Sequence, residues 1–153
     1  MNELVDRLGR DLSDRILEAF KASAFGNSYT FHPSRLPDSA RQDAAQFLAF
    51  LAAPEEKAVK DLGEARAGQG LGLQSVLALG RVLRQSCLRV SELDGNSPAA
   101  AVEMADRYLD AYLTGYFKGW EADLLREQER TRKAYFASLF GREEGSTGGK
   151  PPG

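Results

Sequence analysis

The chain has 153 residues, 42% of them hydrophobic, with one histidine, one cysteine and a formal net charge of -2. That is material for one ordinary core, and it lacks the clustered basic excess that marks nucleic-acid binding. Arg7, Arg10 and Arg15 are interspersed with Glu3, Asp6, Asp11 and Asp14, so no secretory signal is expected there, and no run approaches the ~18 apolar residues of a membrane span; the expected location is cytoplasmic, with neither nucleic acid nor membrane as a partner.

Leu4, Leu8, Leu12, Ile16 and Phe20 stand four residues apart with charges between them, which predicts one amphipathic helix lasting to about Phe25 and ended by Gly26-Asn27. Ser28 to Pro37 holds two prolines and no helical period and reads as an ordered loop. A second helix is expected from Ser39, with Gln42 reaching back in a capping box and a stripe of Ala44, Phe47, Leu48 and Leu51. Pro54 before Glu55-Glu56 suits the first turn of a third helix, since proline lacks an N–H that this turn does not need. That helix is expected to be short, carrying Val59 and Leu62 and failing through Gly63 and the run Gly68-Gln69-Gly70-Leu71-Gly72.

The fourth helix, about Leu73 to Leu93, has the widest apolar face and should be the most buried. Asp94-Gly95-Asn96 then makes a turn, and Ser97-Pro98 opens a last helix running to about Phe140. At ~1.5 Å per residue it would be about 63 Å long, roughly twice the diameter of a small domain. From Gly141 the composition turns to Gly, Ser, Thr, Lys and Pro, which reads as a flexible tail or a linker. With no sustained period-two alternation, the expected fold is all-α: a globin-like arrangement or a bundle of about five helices over residues 1–140, with a long C-terminal signalling helix.

His32 is the only histidine, so one chain cannot build a two-histidine metal site. Pro33 after it favours extended backbone over a helical haem-ligand position. Cys87 falls on an apolar helix face, where a thiol behaves as a small hydrophobe. The glycine run lacks a preceding strand and a G-K-[ST] ending, so it reads as a hinge and not as a phosphate cradle. The acidic residues fall on polar helix faces and do not converge; no catalytic residue, metal or cofactor is expected.

Tyr108, Tyr112 and Tyr116, with Phe117 and Trp120, place several rings on one face of the last helix. They read either as packing against the core and a dimer partner or, with Phe47 and Leu77, as the wall of a small-molecule pocket. Beyond them Leu124, Gln128, Thr131, Tyr135 and Ser138 continue a seam flanked by mixed charge, which together with Phe117 suggests an imperfect parallel coiled coil able to shift register and relay a signal. The other reading is an exposed helix packed antiparallel on its own domain.

The run Ala65-Arg66-Ala67-Gly68-Gln69-Gly70-Leu71-Gly72-Leu73, then Val76-Leu77, Leu79, Arg81 and Leu83-Arg84, resembles the centre of the helical N-terminal input domains of RsbRD-type stressosome co-antagonists, which also precede some bacterial histidine kinases. Tyr108-Leu109-Asp110-Ala111-Tyr112-Leu113, continuing to Glu127-Gln128-Glu129-Arg130, is similar to their exit helix. The resemblance implies a non-haem, globin-like or bundle-like dimeric sensor whose long helix feeds a fused output domain or a downstream signalling protein, and it supplies no catalytic residues. No output domain of that kind follows Phe140 in this sequence. The expected function is a non-catalytic bacterial regulatory module acting as a homodimer. A haem- or small-ligand-binding sensor and a purely structural adaptor are the alternatives.

Overall fold

The computed structural model describes residues 2–93, 95 and 97–146, and among them it contains helices and no strand. Six α-helices follow one another: α1 (Asn2–Leu8), α2 (Leu12–Ala22), α3 (Leu36–Ala52), α4 (Glu56–Gln69), α5 (Leu73–Leu93) and α6 (Ala99–Ser146), with 3₁₀ turns at Ala24–Gly26 and Pro33–Arg35. The all-helical class and the long last helix therefore agree with the sequence. The chain divides into two compact units, one ending at Gly119 and the other beginning at Trp120.

In the first unit the stripe Leu8, Leu12, Ile16 and Phe20 is buried, as its spacing requires. It does not lie on one helix. Gly9, among the weakest helix formers, ends α1, and α2 restarts after Asp11, so the two short helices share one apolar face across the break. α2 also stops at Ala22, short of the expected Phe25. α1 and α2 pack on α3 and α5, and α3 also touches α4.

The loop from Asn27 is tied to the glycine run: Gly72 N–H donates to Asn27 Oδ1 (2.8 Å), and Ser28 N–H donates to the carbonyl of Gly70 (2.8 Å). His32 Nδ1 accepts from the Ser34 N–H (3.1 Å) and caps the second 3₁₀ turn. α3 grows straight out of that turn at Leu36, with Pro37 in its first turn, so the expected capping box at Ser39 does not form. Ser39 is already inside the helix and buried, and Gln42 points its carbonyl oxygen at Arg66 (3.1 Å).

α4 does not fail at Gly63. It runs on to Gln69, because Gly63 is where α4 crosses α6: a methyl there would collide with the carbonyl of Tyr112, and one at Gly115 would collide with that of Lys60. Close backbone approach, not helix breaking, accounts for these glycines. The stop comes at Gly70, left-handed at φ 95°, where Leu71 N–H returns to the carbonyl of Arg66 (3.1 Å) and Gly70 N–H to that of Ala67 (3.0 Å).

α5 has the expected bounds, and Val76, Leu79, Leu83, Cys87 and Val90 are buried along it. Of the following turn, Gly95 is left-handed at φ 67°; Asp94 and Asn96 lie outside the described residues. Ser97 Oγ accepts weakly from the Ala99 N–H (3.5 Å) at the start of α6. Up to Gly119, α6 buries Ala101, Ala105, Tyr108, Ala111, Tyr112 and Tyr116, and Leu109 fills the space left by Gly80 of α5. The second unit continues the same helix. It passes Gly141, the expected start of the tail, and ends at Ser146, taking in Gly141 and Gly145; each glycine costs only about 1 kcal/mol, and the sequence Arg142-Glu143-Glu144 between them is of helix-forming residue types. The rest of the expected tail, 147–153, lies outside the described residues.

Candidate functional site

The aromatic residues of α6 and α3 meet in the centre of the first unit. Tyr108 takes the ring of Phe47 edge-on at 5.1 Å and that of Phe50 at 5.5 Å, and Tyr112 lies 6.0 Å along the helix. Edge-to-face packing matches the ring quadrupoles and fills the space between the helices. Phe47, Phe50, Tyr108 and Tyr112 are fully buried. Tyr116 is buried as well, and its hydroxyl donates to the carbonyl of Leu71 (2.7 Å), pinning α6 to the glycine run.

Of the six residues expected to line a ligand pocket, Phe47, Tyr108 and Tyr112 thus come together as mutually packed rings and Tyr116 stands beside them. Leu77 and Trp120 are exposed instead. Leu77 is 39% exposed on α5, and Trp120, 54% exposed, opens the second unit. A cleft of about 570 Å³ does exist elsewhere in the first unit, between α2 and α5, with Ala19 and Val82 among its walls and Asp14, Glu18 and Arg89 around it.

Under the rings lies a charged pair with no place in the sequence reading. Asp43 of α3 and Arg66 of α4 are both buried, with Arg66 Nε 3.5 Å from Asp43 Oδ2. Neither atom makes a hydrogen bond, and the Tyr108 hydroxyl has no partner either. Asp43 Oδ1 accepts from the Tyr112 hydroxyl at 3.4 Å. The Arg66 guanidinium donates to Gln69 Oε1 (3.0 Å), Gln42 Oε1 (3.1 Å) and the carbonyl of Ser39 (3.2 Å). Burial pushes Asp43 up to about 6, against the lowering effects of the Arg66 charge and the Tyr112 hydrogen bond. Burial, and then the neighbouring Asp43 charge, hold the phenols of Tyr108 and Tyr112 well above their usual range.

A signal for this pair was present. Asp43 stands one turn before Phe47 and two before Phe50, and Arg66 stands one turn after Leu62 and two after Val59, so each charge sits on the apolar face of its helix. Cys87 is buried and its thiol is pushed up to about 11, which suppresses the reactive thiolate. Among the described residues no group of three His, Cys, Asp or Glu side chains is placed to hold a metal, and no helix is long and apolar enough to cross a membrane.

In the second unit Trp120, Leu124, Gln128, Thr131 and Tyr135 succeed one another at steps of three and four residues and therefore share one side of the helix. All are exposed, Leu124 at 41% and Tyr135 at 62%. Phe117, also exposed, precedes them at the end of the first unit. Phe136 and Phe140 stack at 6.3 Å, and Arg132 lies over Phe136 at 5.7 Å. Arg126–Asp123 (3.1 Å) and Lys133–Glu129 (3.5 Å) pair within the helix. No protein-family model matches the chain, and neither does any curated protein or solved structure.

Proposed function

We propose that this chain is a non-catalytic, cytoplasmic sensory or regulatory module that pairs with a second copy through α6 and relays a change in its helical core to a downstream signalling protein or a fused output domain. The observation that carries this reading is the uncovered row Phe117, Trp120, Leu124 and Tyr135, continued by Gln128 and Thr131. Each large apolar side chain gains about 1.5–3 kcal/mol on full burial, so a row of them favours association with a surface of the same kind. The polar members of the seam make the pairing modest in strength, which suits a contact that must shift. The resemblance to stressosome co-antagonist input domains, on the glycine run and the start of α6, points the same way. The carboxyl that burial perturbs, Asp43, lies under aromatic rings and away from solvent, where a substrate does not reach it.

Light scattering of the purified protein at micromolar concentration tests the reading. The expected result is a dimer that becomes monomeric in the double variant Leu124→Glu, Tyr135→Glu while its helical circular dichroism is kept. A monomeric parent protein overturns it.

A further inference from the structure

Among the described residues, three buried side-chain polar atoms of the first unit make no hydrogen bond, and they belong to one neighbourhood: Asp43 Oδ2, Arg66 Nε and the Tyr108 hydroxyl, whose ring is 6.0 Å from that of Tyr112. The two charges in it are unequally served. Arg66 spreads its charge over three neutral acceptors, Ser39, Gln42 and Gln69. An ionised carboxylate offers about four acceptor positions, yet Asp43 receives one long hydrogen bond, from Tyr112 at 3.4 Å, and an ion-pair contact of 3.5 Å without hydrogen-bond geometry. A buried carboxylate so poorly served is costly, and a proton on it removes most of that cost. The Arg66 guanidinium keeps its three acceptors either way.

The titratable groups that meet there are Asp43 from α3, Arg66 from α4, and Tyr108 and Tyr112 from α6. Arginine keeps its charge, and both phenols are displaced away from neutrality. Asp43 is left as the member that exchanges a proton near neutral pH. It sits where α3, α4 and α6 join, next to the glycine crossing of α4 and α6.

We infer that Asp43 is a proton switch in the joint of α3, α4 and α6: protonated, it closes the joint on α6, and ionised, it loosens that grip. The direction follows from solvation. The ionised carboxylate gains more from reaching water than the neutral acid does, so loss of the proton favours opening. The inference rests on α6 being the relay helix and names a proton as one input to it.

Hydrogen exchange of the full chain, expressed as protection over residues 105–116, tests the switch between about pH 5 and about pH 8. Protection should fall at least about tenfold as pH rises, with a midpoint near the Asp43 value of about 6. Asp43→Asn should hold the low-pH protection throughout. Tyr112→Phe should keep the step and move its midpoint upward, because a hydrogen bond that favours the carboxylate is gone. A flat profile in the parent protein, an unchanged step in Asp43→Asn, or an unmoved midpoint in Tyr112→Phe overturns the switch; the last decides the matter if Asp43→Asn does not fold. These outcomes are separable from those of the dimer experiment, since the step is read inside the first unit whether or not two copies pair.

Discussion

Along the part of α6 that ends at Gly119, Tyr108, Tyr112 and Tyr116 recur every fourth residue and are buried against rings, a carboxylate and a loop carbonyl; from Trp120 onward, Trp120, Leu124, Gln128, Thr131 and Tyr135 succeed one another at steps of three and four and meet solvent. One helix thus carries two faces of like spacing, one buried among named partners of its own unit and one, partly polar, exposed along its own unit. Periodicity states that a face wants covering and is silent about what covers it. The partner is identified by what else the chain brings to that face, here Phe47, Phe50 and Asp43 for the first stretch.

Truncation should separate the two stretches. Tyr108→Ala removes a fully buried ring from between Phe47 and Phe50 and should cost about 3–5 kcal/mol of stability, read by chemical denaturation. Arg66→Met should have an intermediate effect that depends on pH. Asp43 titrates at about 6 in the folded chain against an ordinary 3.8, so its share of stability is whole below about pH 3.8 and is lost as pH climbs through about 6. Taking away Arg66 removes the foremost influence opposing that rise, so the variant should lose on the order of 3 kcal/mol at about pH 8 and clearly less at about pH 5. Tyr135→Ala should change the monomer's stability least, by under about 0.5 kcal/mol, because its ring stands 62% exposed. A large loss there at high dilution would mean that the second stretch is covered within one chain.

The sequence made the helical class, the bounds of α5 and the burial of Tyr108, Tyr112 and Tyr116 legible, because each rests on a long, regular apolar period. It misled where one residue serves two needs. Gly63 reads as a helix breaker, yet its role is to let the α4 backbone touch that of α6. The stripe Leu4, Leu8, Leu12, Ile16 and Phe20 reads as one helix, yet Gly9 divides α1 from α2 while the stripe carries on. Ser39 and Gln42 match a capping box in spacing, but the 3₁₀ turn at Pro33–Arg35 had already started the helix. Asp43 and Arg66 were legible as charges on apolar faces; their meeting depends on how α3 and α4 pack, which no local pattern encodes.

The most direct measurement is amide exchange at fixed pH and two protein concentrations, compared between residues 105–116 and 120–140. Protection of 120–140 should rise with concentration, and by a clearly larger factor than that of 105–116, which feels pairing only through the relay. Protection of 120–140 that does not respond to concentration would contradict pairing through α6.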